Sequence, residues 1–164
     1  MRFFKHPLLH TAVIALISVF YSAMFILIAE HVEFQRLLNH SATLSSRFFN
    51  NWTARLREGI LADVGVIWLV LTAVIVLFAI LHRRRYDEYQ VGILRAGFTV
   101  TGVVMVLLFP LALLLILSDR NYAIEVMTML VIAHWSVVLA ADAGYVLYCF
   151  CGQFGRARRN THTG

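Results

Sequence analysis

The chain has 164 residues, 60% of them hydrophobic and only 14% charged, with a formal net charge of +5. Soluble domains carry about 25% charged residues, so this composition excludes a water-soluble fold and makes the bilayer the natural solvent. The basic residues flank apolar runs rather than gathering in one patch, which excludes a nucleic-acid-binding role. Every basic residue but Lys5 is arginine, a bias expected of a GC-rich bacterial genome.

A spanning helix needs about 20 apolar residues, and in lipid only helices or closed barrels satisfy every backbone group. The apolar runs here are continuous rather than alternating, so the expected fold class is an all-α membrane protein with four transmembrane helices in a single domain, residues 1–164. The first span is expected at 7–29. It is longer than a signal-peptide core and no small-residue cleavage site follows it.

The first loop, residues 30–60, has a pattern of its own. Leu44, Phe48, Trp52, Leu56 and Ile60 recur every fourth residue, and polar residues fill most of the intervening positions. This spacing predicts an amphipathic helix with an apolar stripe, and its aromatics with flanking arginines suit a bilayer interface. Glu30 to Phe34 reads as a continuation of the first helix beyond the membrane. Asn39-His40-Ser41 and Asn51-Trp52-Thr53 match the glycosylation acceptor pattern, which carries no meaning in a bacterium.

The second span is expected at 61–81. Arg83, Arg84 and Arg85 follow it directly and form the strongest topology anchor and a contact for lipid headgroups. The loop 82–95 leads to a third span at 96–118, which contains Pro110. The fourth span is expected at 126–147, with a tail at 148–164. Nine Lys and Arg residues flank one side of the four spans and five the other. The positive-inside rule then predicts that both termini, the loop 82–95 and the tail are cytoplasmic, and that the first loop is extracytoplasmic. A bacterial inner membrane is the expected location.

Asp142 interrupts the fourth span. An Asp at a helix centre costs about 2.5–3.5 kcal/mol on insertion scales, so it must face the bundle, a partner or water. His134 lies eight residues earlier, roughly 80° away around the helix, and the two form a candidate intramembrane polar or ion site. Ala133, Ser136, Ala140, Ala143 and Gly144 make a small-residue surface, the kind that lets helices approach closely. Thr, Ser or Tyr on the first and third helices are the expected hydrogen-bond partners of Asp142.

Chemistry-bearing motifs are missing. There is no H-E-x-x-H, no C-x-x-C, no Gly-rich phosphate loop and no nucleophile elbow. Cys149 and Cys151 point in different directions on a helix and lack the second half of a zinc site. Haem would need two facing histidines, and only His134 lies well inside a span. The expectation is a protein without cofactor or metal, and nothing in the sequence asks for an enzyme; a membrane enzyme acting on lipid, with the outer loop as its lid, ranks last among the readings. At the head of the fourth segment, Asp119 and Ile124-Glu125-Val126 resemble the phosphate-starvation-inducible E family of small bacterial membrane proteins. That match spans only a few residues and implies neither activity nor site.

Two functions follow. The first is a small subunit or accessory factor of a membrane complex, acting through helix–helix contacts with other membrane subunits or copies of itself. The second is a small oligomeric ion- or proton-coupled transporter or channel using Asp142 and His134.

Overall fold

The computed structural model describes residues 7–38, 46–81 and 88–160, and all of its elements are helices. In chain order they are α1 (Pro7–Ala29), α2 (Val32–Leu37), α3 (Arg47–Arg57), α4 (Ile60–Leu81), α5 (Glu88–Ser118), a 3-10 turn (Arg120–Tyr122) and α6 (Ala123–Asn160). Four segments are long and apolar enough to cross a membrane: Leu9–Ala29, Ile60–Leu81, Tyr89–Ser118 and Arg120–Tyr148. The protein is an integral membrane protein built as a helical bundle.

The helix ends follow local chemistry. Pro7 opens α1, where a missing N–H is harmless. The chain does not continue as one helix through Glu30 to Phe34, as the sequence suggests. It breaks at Glu30, and His31, with φ −78° and ψ 124°, caps a separate α2 by accepting the Glu33 N–H on Nδ1 at 3.3 Å. Between α3 and α4 the turn is made by Gly59 at φ +87°, a left-handed conformation that favours glycine. Helix α5 begins at Glu88, ahead of the expected span, and α6 runs to Asn160, well beyond it. Helix α5 continues through Pro110, which leaves the Val106 carbonyl without its usual N–H partner.

The tightest helix pair is α1 with α4. A Cβ placed on Gly65 would lie 2.9 Å from the Ser22 carbonyl oxygen and 3.1 Å from Ile26 Cγ1, so only glycine allows this crossing. Helix α6 holds the bundle together, because it meets α1, α4 and α5. On the α1 side the Trp135 indole N–H donates to Ser18 Oγ at 3.2 Å, and its ring lies 5.0 Å from that of Tyr21. On the α4 side the Trp68 indole N–H donates to Ser136 Oγ at 3.2 Å, while Phe25 packs on Trp68 at 5.0 Å. On the α5 side Gly97 faces Ala141. Lipid tails are as apolar as these side chains, so such packing and interhelical hydrogen bonds, not the hydrophobic effect, hold the bundle.

Helix α5 is the outermost. Only 11% of its apolar window is buried, against 28% in each of the other three spans. Val100, Val103, Val106, Leu107, Leu114 and Leu117 all point away from the bundle.

Candidate functional site

Asp142 is 1% exposed on α6, and the imidazole beside it belongs to His10 of α1, 3% exposed. His10 Nδ1 lies 3.7 Å from Asp142 Oδ1. Neither carboxylate oxygen accepts a hydrogen bond within the described residues, so the Thr, Ser or Tyr partner expected from sequence is not what Asp142 meets. The His10 ring packs edge-on against Phe98 of α5 at 5.5 Å, which places the couple where α1, α5 and α6 converge. Next to His10, Thr11 is also buried, and its hydroxyl has no hydrogen-bond partner there.

His134 is partly buried, and its ring lies edge-on to Trp135 at 6.4 Å. The imidazole that the fold brings to Asp142 is therefore that of His10. The sequence held one signal for this, namely matching depth. His10 lies three residues into the first span, and Asp142 lies toward the corresponding end of the last, so antiparallel packing sets them level.

The small residues of α6 divide. Ser136 accepts the Trp68 hydrogen bond, Ala143 packs against the main core, and Ala133 lines a shallow apolar groove with Leu108 and Leu111 of α5. Ala140 and Gly144 are exposed, and a Cβ on Gly144 would meet nothing within 4 Å. Within the chain, Ser136, Ala143 and Ala133 thus meet other residues of the bundle, while Ala140 and Gly144 do not. Ala140 and Gly144 face outward from the bundle.

A second buried cluster joins α3 to the head of α6. Leu56 and Thr53 are buried and Trp52 is partly so. The Thr53 hydroxyl donates to Glu125 Oε1 at 3.1 Å, and the Trp52 indole N–H donates to the Glu125 carbonyl at 3.2 Å. Tyr122 donates from its hydroxyl to Asn50 Oδ1 at 2.9 Å and stacks on Phe49 at 4.9 Å. Of the expected stripe, Ile60 opens α4 and is partly buried, Phe48 is 60% exposed, and Leu44 lies outside the described residues. Glu125, 0% exposed, entered the sequence reading only through the family resemblance, and its contact with α3 was not anticipated. It is the third residue of α6, where the helix dipole favours an acid.

Arg83, Arg84 and Arg85 lie outside the described residues, as do the side chains of Cys149 and Cys151. Among the described residues no three His, Cys, Asp or Glu side chains gather into a metal-binding group. No protein-family model, curated protein or solved structure matches this chain.

Proposed function

We propose that this protein is a non-catalytic subunit or accessory factor of a bacterial inner-membrane complex, with both termini cytoplasmic and α3 lying on the extracytoplasmic side. The orientation rests on the arginine distribution, with Arg83, Arg84 and Arg85 as its anchor. The observation that carries the functional reading is the outward-facing pair Ala140 and Gly144 on α6. Small residues four apart let a further helix approach closely, and the helix presenting them is the one to which the rest of the bundle is tied. The occupant is another subunit or a second copy of this chain. Photo-crosslinking from Ala140 in native membranes tests the reading, with Leu117 of α5 as control. A crosslink to a membrane polypeptide of defined mass from Ala140 but not from Leu117 supports it. Adducts with lipid alone overturn it.

A second reading, a small oligomeric proton- or ion-coupled transporter, is favoured by the couple of Asp142 and His10. Intramembrane ionisable residues commonly mark ion and proton pathways. Proton flux into liposomes containing the protein, abolished by Asp142→Ala, supports this reading, and absence of flux overturns it.

A further inference from the structure

We propose that Asp142 and His10 form a proton-binding site that holds a single proton between them. It stands whether or not the protein transports anything, because a bound proton can tie α1 to α6 without crossing the membrane.

The argument starts from burial. Both side chains lie almost wholly out of contact with solvent, 3.7 Å apart. An isolated charge in such surroundings is strongly disfavoured. The couple has four protonation states. With no proton it is a carboxylate beside a neutral imidazole, net −1. With two it is a carboxylic acid beside an imidazolium, net +1. Both leave a net charge on the couple inside the bundle. The two states with one proton are net neutral, and they differ only in whether the proton sits on an Asp142 oxygen or on His10 Nδ1. Modest side-chain rotations would close 3.7 Å to hydrogen-bond length, about 2.7–2.9 Å for a charge-assisted bond. The carboxylate oxygens accept no hydrogen bond from other described groups, so the shared proton gives them the partner that burial demands.

The surroundings favour a proton over a metal cation. Calcium takes six to eight oxygen ligands and magnesium a near-octahedral set, whereas this site presents one carboxylate and one imidazole, with no third His, Cys, Asp or Glu gathered to them among the described residues. The elements packed around the couple bring few competing charges. Helix α6 carries Tyr145 one turn beyond Asp142 and His134 two turns before it. Helix α5 presents Phe98 and, exposed one turn earlier, Arg95. Helix α1 adds Thr11, and α4 contributes the aliphatic Ile75 and Ala79 to the buried interior.

Solid-state NMR of the full-length, isotope-labelled protein in liposomes reads the proton directly. The Asp142 Cγ shift separates carboxylic acid from carboxylate, and the His10 ring nitrogens separate imidazole from imidazolium. From about pH 5 to about pH 8, the range in which an ordinary imidazole changes charge, the expected result is a constant total of one proton on the pair. His10→Gln should move the Asp142 Cγ to its carboxylic-acid position, while His134→Gln leaves it unchanged. A carboxylate beside a neutral imidazole, or two protons on the pair, anywhere in that range overturns the proposal. The wild-type spectra alone decide it, and flux in the same liposomes bears only on the transport reading.

Discussion

The Thr53 hydroxyl donates a hydrogen bond to the buried carboxylate of Glu125, joining α3 to α6 across 72 residues of sequence. Beside it, Trp52 binds the Glu125 carbonyl and Tyr122 binds Asn50. The segment between the first two spans is thereby fastened to the head of the last one by Thr53 and Asn50, which lie off the apolar stripe, together with Trp52 from the stripe itself.

Removing the donor tests that fastening. Thr53→Val keeps the shape but leaves a buried acceptor short of one partner, at a cost of about 1–3 kcal/mol. Hydrogen exchange in detergent should accelerate across Arg47–Arg57 while α4 keeps its protection. Unchanged exchange in α3 would mean that the Thr53 bond does not hold the helix.

Two glycines should behave oppositely. Gly65→Ala drives a methyl group to 2.9 Å from the Ser22 carbonyl, and overpacking of this kind costs about 1–3 kcal/mol. Gly144→Ala meets nothing, so in the isolated protein it should be neutral or stabilise by about 0.5–1 kcal/mol through backbone entropy. Unfolding of the purified variants in detergent measures both. Under the subunit reading, Gly144→Ile should also weaken the crosslink from Ala140 without lowering that stability.

These glycines show what one sequence can and cannot convey. The four spans were legible because apolar runs of sufficient length have few other uses. The role of Ala140 and Gly144 as small residues was legible too, but not that they face outward, since spacing alone does not say which side of α6 is covered. The break at Glu30 was missed because nothing in Glu30-His31-Val32 is a strong helix breaker, and the His31 side chain makes its own cap. The pairing of Asp142 with His10 depends on how α1 and α6 pack. His134 looked the better partner only because it shares a helix with the acid.

The tryptophan bridges are open to a double-mutant cycle. Trp68→Phe and Ser136→Ala each remove one end of a 3.2 Å hydrogen bond between α4 and α6. Interhelical hydrogen bonds in membranes average about 0.6 kcal/mol, and the cycle should return a coupling of that size. The ring contact with Phe25 persists in Trp68→Phe, which keeps the cycle close to the hydrogen bond alone. A coupling indistinguishable from zero would leave stacking as the main link at this level.

Orientation is testable with an impermeant thiol reagent on intact cells, after Cys149 and Cys151 are replaced by serine. A cysteine at the exposed Arg55 should label from outside, and one at Thr163 only after lysis. Replacing Arg83, Arg84 and Arg85 together by glutamine removes the largest cluster of positive charge, and a mixed labelling pattern should appear. The reverse labelling in the parent chain would invert the topology and place α3 in the cytoplasm.

The couple of Asp142 and His10 predicts an asymmetry in stability. His10→Leu strands a buried acid; breaking a buried pair from one side costs about 3–5 kcal/mol when the remaining charge is uncompensated. If the acid takes up the proton it shared with His10, the loss should fall below that range, because a neutral carboxyl is cheaper to bury than a carboxylate. Replacing both residues by leucine should recover the loss and can stabilise by about 1–4 kcal/mol. Unfolding of the two single variants and the double variant in detergent gives the comparison. A double variant that is stable but inactive in crosslinking or flux would show that the couple is kept for work rather than for holding the bundle. A double variant less stable than either single one would mean that the pair is a structural latch between α1 and α6.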